Sequence, residues 1–568
     1  MHSNRPPKSK HKFMTLVLVI STLWLPYLHA QDLSSFKGQK PISISGSVNV
    51  NVSSYTTSGS RQRLDPFAWT LSGSPTLSIY GVQLPIYVLI NQQSKSLQGP
   101  FQQFGISPSY KWAKAHLGYR NITFSPYTLS GRLFLGAGVE LNPGKLRIGF
   151  VYGQFQKAVG GTLEQLTTLN PAPPAPQFRR MGYAFKLGYG TQTNHLDLIY
   201  FKAKDDINSI TLVPKSFLRP AENVTLGVSS VFTLFKRISW TTDIGVSGYT
   251  EDLRSEAYKL SSKLSWLKSI YNPLNSSHFG WAGQSSIQYN ASIFSLRLQY
   301  QLISPDYKSM GAYFFNNDLQ EITISPSLTL WQGKVQLSGS YGIQNDNVSK
   351  IKLLRTDRKI GSLNLSIQPN QAFGVAVNYS NYGTFQNQPG TIIDTLKIQQ
   401  VNQTMMIAPR YFKSNGTVSH AINAVVSYQN STDYNTVSSQ LLEFNNLFTS
   451  LNYSYGLPKQ KLTVTPGVNY IRNYLQQGNT AAFGATLSAS KALLNNKLST
   501  SANLLYNQNF YETSSNGYTL SMRLNNRLRV TAKQQLSVGI TLLRNTDNRI
   551  ESRNFMEFYT NVGYGVNF

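Results

Sequence analysis

Short segments in which apolar and polar residues alternate recur along this chain. Leu146-Ile148-Phe150-Tyr152, Tyr183-Phe185-Leu187-Tyr189, Leu296-Leu298-Tyr300-Leu302, Phe373-Val375-Val377-Tyr379 and Leu536-Val538-Ile540-Leu542 each have polar or small residues between the apolar ones. A period of two is a strand period, and it gives every strand one greasy face and one polar face. After the first 30 residues no apolar run reaches the ~18 residues that a membrane-spanning helix needs. Segments of ~10 residues with this pattern are what a tilted strand requires to cross a bilayer.

Composition agrees with that reading. Charged residues make up 13% of the chain, about half the ~25% usual in soluble domains. Aromatics reach 12%, with 33 Tyr and 29 Phe, which a disordered chain would lack. The expected fold is all-β: a closed antiparallel transmembrane barrel, because only closure satisfies every backbone group in lipid. No fixed-length repeat of the kind that marks a solenoid or propeller is visible.

The two ends add direction. Residues 1–30 read as a secretory signal peptide, with Arg5, Lys8, Lys10 and Lys12, an apolar stretch from Phe13 to about Leu25, and Leu28-His29-Ala30 before Gln31. Residues 31–40 form a short periplasmic segment, and 41–568 the barrel. That leaves no room for an N-terminal plug domain. At the other end Phe558, Val562, Tyr564, Val566 and Phe568 alternate with Tyr559, Asn561, Gly563, Gly565 and Asn567. This terminal strand resembles the C-terminal signal of Gram-negative bacterial outer-membrane β-barrels. The resemblance implies export to the cell outer membrane and recognition by the barrel-assembly machinery. It covers about a dozen residues, and no subfamily is assigned.

Tight turns are expected at Asn142–Lys145, Phe235–Arg237, Gln332–Lys334, Pro369–Gln371, Leu494–Asn496 and Ala532–Gln534, and four of the six carry Gly, Asn or Pro, which let the chain reverse. Longer polar connections are expected at 155–180, 205–221, 250–279, 304–319, 346–357 and 383–401. Short turns on one side and long loops on the other give about 26 strands (24 to 28) with both termini on the short-turn, periplasmic side. Residues 170–176, Asn-Pro-Ala-Pro-Pro-Ala-Pro, suit stiff polyproline II. Residues 258–271 fit an amphipathic helix or a strand extending above the membrane equally well.

The formal charge is +28, of which the leader carries four, leaving about +24. If the apolar set faces lipid, alternation turns Lys145, Arg147, Lys186, Arg297, Arg523, Arg527 and Arg529 toward the lumen. A charge on the lipid face near the midplane costs roughly 2–4 kcal/mol. A cationic lumen favours anionic solutes; alternatively these residues pair with luminal acids and hold the barrel's shape. Further basic residues on the short-turn side suit lipid headgroups. A basic loop with Lys350, Lys352, Arg355, Arg358 and Lys359 suits outer-membrane lipid and lipopolysaccharide phosphates, or is simply solvated.

Catalysis is not expected. His116, His195, His278 and His420 are widely spaced, there is no HExxH or G-x-S-x-G motif, and the chain has no cysteine. No cofactor, metal or nucleic acid is expected. A wall of about 26 strands encloses more space than side chains fill, so water, in-folded loops or another protein must occupy it. The first reading is a channel or transport barrel. The alternative is a barrel subunit of an assembly or secretion complex, its lumen filled by a periplasmic or plug partner protein.

Overall fold

The computed structural model describes residues 41–59, 62–80, 82–92, 103–160, 176–210, 218–259, 268, 270–312, 317–352, 354–387, 399–434 and 443–568. The expected signal peptide, the 31–40 segment, most of the Pro-rich run at 170–176 and most of 258–271 lie outside these residues. A single antiparallel sheet of 26 strands closes on itself. Three strands are interrupted. Gly46, at φ +101°, separates Ile42–Ser45 from Ser47–Ser58; Phe67–Gly73 continues as Thr76–Ile79; and Gln103–Ile106 continues as Ser109–Tyr110.

Closure is made by the two ends of the chain. The last strand, Phe555–Asn567, pairs with its hairpin partner Gln534–Asn545 and with the first long strand, Ser47–Ser58. The closing register runs Val48↔Val566, Val52↔Val562 and Tyr55↔Tyr559. The Phe568 amide extends it by donating to the Gly46 carbonyl. The alternating residues of the terminal segment are therefore a seam that removes both free sheet edges.

The expected turns form: 142–145, 235–237, 331–334, 368–372, 494–497 and 530–533 each join adjacent strands on one rim. The described residues of the long connections 157–178, 207–221, 251–276, 304–318 and 346–354 lie on the other rim, and the expected connection at 383–401 falls largely outside the described residues. The outer face is apolar and exposed, as at Tyr152, Tyr183, Leu198, Leu226 and Val246 on successive strands. Exposed large apolar side chains all round a wall are stable only against hydrocarbon.

The polar-in half of the expected alternation holds around only part of the ring. From Leu133 to Thr250 the inward positions include Phe134, Val151, Phe155, Ala184, Ile199 and Phe201, all buried. They are covered by the connections 122–132 and 304–312, which fold into the lumen. The described part of the expected loop at 304–319 turns inward, whereas the shorter connection 122–132 was not foreseen.

Candidate functional site: the lumen and its two arcs

Along one arc the lumen is filled. Ile122, Phe124 and Leu129 join Met310 and the inward apolar residues of the wall in one buried cluster. Tyr127 and Tyr307 form a second cluster with Ala282, Ile303 and Leu319. The two loops are also tied by polar groups. The Tyr307 hydroxyl donates to the Tyr127 carbonyl, and Ser309 Oγ donates to the Thr128 carbonyl at 2.6 Å. Asn223, fully buried on the wall, accepts from the Met310 amide at 2.9 Å. Its Nδ2 donates to Ser247 Oγ at 2.8 Å and to the Lys308 carbonyl at 3.2 Å. Gln301 donates to the Tyr127 hydroxyl at 3.0 Å.

Glycine makes this close approach possible. A Cβ at Gly149 would lie 2.6 Å from Phe124 Cζ, one at Gly227 2.4 Å from Thr128 Cγ2, and one at Gly245 2.5 Å from the Tyr307 hydroxyl. Carbon atoms normally sit ~3.5–4 Å apart, so no side chain fits there while the loops are docked.

Charges on this arc are neutralised. Arg147 forms a bidentate pair with Asp197 at 2.8 and 2.9 Å, and Arg180 does the same with Asp205 at 2.7 and 3.0 Å. Lys186 is buried with its ammonium 4.8 Å from the Phe124 ring centre. His116 bridges Ser107 Oγ at 2.9 Å and Glu140 at 3.0 Å. Two residues expected to make the lumen cationic, Arg147 and Lys186, thus point inward but sit among acids and loop side chains. Lys145 stands in an exposed turn at the rim.

A row of inward residues in register continues from this arc: Asp243, Gln284, Gln301, Glu321, Gln344 and Arg358. Gln284 donates to Asp243 at 3.3 Å, Gln344 to Glu321 at 2.8 Å, and Arg358 to Gln344 at 3.2 Å. Arg297 lies inward and donates to Gln299 at 2.9 Å.

The opposite arc is open and of different chemistry. Inward positions of the strands from Phe444 to Asn567 are dominated by asparagine, serine and threonine, with Asn469 donating to Asn507 at 3.1 Å and Thr519 to Asn545 at 2.8 Å. Arg523, Arg527 and Arg529 alternate with outward Met522, Leu524 and Leu528, and face Asn503, Ser499 and Gln535 across the neighbouring strands. Among the described residues no acid lies within ion-pair distance of these three guanidiniums.

The residues of the expected basic loop do not form one patch. Lys350 is exposed in the turn, while Lys352 pairs with Asp318. Burial alone would raise the Asp318 carboxyl; Lys352 and the Val348 amide outweigh it and hold it below its ordinary value. Arg355 pairs with Asp357 at 2.8 Å, Arg358 lies in the luminal row, and Lys359 faces out opposite Ile343. Among the described residues no three metal-ligating side chains cluster.

Sequence reasoning missed Tyr127, Thr128, Leu129, Asn223, Tyr307 and Met310. A signal was present. In Leu198-Ile199-Tyr200-Phe201 both faces are apolar, so the inward face needs a cover. In Phe134–Gly138 and Gly149–Gly153 glycine recurs at inward positions, where a backbone or ring approaches closely.

No protein-family model matches the chain, and no curated protein matches it. Among solved structures the chain is similar to OccAB2 of Acinetobacter baumannii, with 11% identity over 62% of this chain and 92% of that chain, at a TM-score of 0.32. It is similar to the outer membrane protein OpdK of Pseudomonas aeruginosa, with 10% identity over 62% and 94% of the two chains and a TM-score of 0.31. It is also similar to the P pilus usher (PapC) translocation pore, with 10% identity over 93% and 99% and a TM-score of 0.31. At these scores no residue and no activity transfers to this chain.

Proposed function

We propose that this closed antiparallel barrel sits in the outer membrane as a channel, partly filled by its own loops, whose open arc favours anionic solutes. The apolar outer face supports the membrane setting, and the short-turn rim is then periplasmic. The anion preference rests on one observation: Arg523, Arg527 and Arg529 line the open arc without acid partners among the described residues, while Arg147 and Arg180 on the filled arc are neutralised. Charges left unpaired along a water-filled path set its selectivity, whereas paired ones mainly hold shape. The Asn-rich wall between them supplies hydrogen bonds of either sense and no charge of its own.

The test is the reversal potential of the purified barrel in a planar bilayer under a salt gradient. An anion-selective pore is expected, losing most of its selectivity in the triple variant R523Q/R527Q/R529Q. A cation-selective or non-selective wild type would refute the anion reading. A barrel that stays closed, purified with a stoichiometric second protein, would favour the partner-filled alternative.

A further inference from the structure

The charges of this molecule are sorted along the barrel axis. Every turn on the short-turn rim lacks Asp and Glu, while Lys236, Arg237, Lys334, Lys459 and Lys461 all stand there. The long connections carry acids such as Glu251, Asp252, Asp318 and Asp547 together with a comparable number of bases such as Arg219, Arg254, Lys350, Lys352 and Arg553. One mouth is therefore basic with no acid in its turns, while the other mixes acids and bases.

Inside the basic mouth is a cavity of about 970 Å³ on the open arc, bordered by Lys497, Arg527, Arg529 and Lys533. Asn525 and Asn561 add amides to it, and no acidic side chain lines it. Its parts are held together by the backbone: the Arg529 amide donates to the Lys497 carbonyl at 2.6 Å, and the Asn567 amide to the Lys533 carbonyl at 2.7 Å. Arg527 and Arg529 are two positions apart on one strand, so they project from the same face ~7 Å apart. That spacing and volume suit an anion with two or more charges, such as a phosphorylated or polycarboxylate solute. Arginine meets phosphate and carboxylate oxygens with paired N–H donors. Arg527 and Arg529 face the lumen, as Ser499 and Gln535 opposite them do, so lipid headgroups outside the wall do not reach the cavity.

We infer that this cavity is a binding site for multivalent anions, placed so that the pore takes such ligands from its short-turn side; this rests on the anion-channel reading above. On the other rim acids and bases are interspersed and largely paired, as in Arg219 with Glu251, Arg254 with Asp252 and Lys352 with Asp318, so an anion is not concentrated at that mouth as it is at the basic one.

The experiment uses the full-length barrel in a planar bilayer with inorganic tripolyphosphate as probe. Because the chain has no cysteine, a Ser292→Cys change in a short turn, read with a membrane-impermeant maleimide, reports which side faces which chamber. Tripolyphosphate is expected to block the current at a concentration at least tenfold lower from the short-turn side. The R527Q/R529Q variant should need about tenfold more, since each removed charge near 5 Å in water is worth several-fold against each phosphate charge. K236Q, on the same rim outside the cavity, should shift the blocking concentration far less than R527Q/R529Q does. An open anion-selective pore blocked equally from both sides, or equally in R527Q/R529Q, overturns the site while leaving the channel reading intact. If the barrel does not conduct, the channel reading fails, and calorimetry of tripolyphosphate on the solubilised barrel decides the site separately. Binding weakened about tenfold in R527Q/R529Q supports it, and absence of binding overturns it.

Discussion

Replacing Gly149, Gly227 and Gly245 together by valine should expel the in-folded loops while leaving the barrel closed. All three glycines lie on the inward face of regular strands, and none adopts a positive φ. Valine is therefore favoured by the strand itself. What it cannot do is coexist with the loops. The first added carbon would stand 2.6 Å from Phe124, 2.4 Å from Thr128 and 2.5 Å from Tyr307, about 1 Å inside normal contact. Overpacking of this degree costs ~1–3 kcal/mol per site, so about 3–9 kcal/mol for three sites. Local opening requires only a fraction of the ~5–15 kcal/mol that holds a whole domain, so undocking is the cheaper response. A Ser125→Cys reporter, at 1% exposure, should react slowly with a maleimide in the wild type and at least tenfold faster in the triple variant. Single-channel conductance should rise in parallel. Unchanged conductance together with a still-protected reporter, in a variant that folds, would refute the reasoning that inward glycines exist to seat these loops.

Three further outcomes are expected. Asp197→Ala should lower the thermal stability of the barrel by about 3–5 kcal/mol, because it strands Arg147 in a largely buried site, whereas the double change R147M/D197L should recover most of it; the midpoint of the heat-dependent gel shift measures both. Asp252, on the long connection, is held below its ordinary carboxylate value first by its hydrogen bond with Arg254. A depressed value stabilises the loop above the ordinary carboxylate range and loses that stabilisation as pH falls through the lowered value. The protection of amides around Asp252–Ser255, as exchange relative to the intrinsic rate at each pH, should therefore be high at neutral pH and fall in acid, and a D252N loop should lack that acid-dependent change. Removing Phe568 should lower the yield of assembled barrel in cells without abolishing refolding in detergent, since the residue contributes one closing backbone bond to Gly46 and we assign it to recognition by the assembly machinery. Equal yields in cells would remove that assignment.

Strand existence, the strand number, the turn positions and the lipid-facing residues were legible in the sequence because each depends on neighbours a few positions away. Val48, Val562 and Leu524 face outward because alternation leaves them no other face, and Asn142-Pro143-Gly144-Lys145 turns because of its own backbone preferences. Inward placement of Arg147, Lys186 and Arg523 followed from the same local rule. Whether each inward charge is free did not. Arg147 meets Asp197 across 50 residues of chain, and a pairing of that kind is fixed only when strands come into register. The filled arc lay further out of reach. Tyr127 is fixed by Gln301 and Tyr307, which are 174 and 180 residues distant in the chain. Their meeting depends on the curvature of the closed wall, which brings two loops from one rim into the same space. Periodicity fixes which way a side chain points, but what it meets in the lumen is decided by closure.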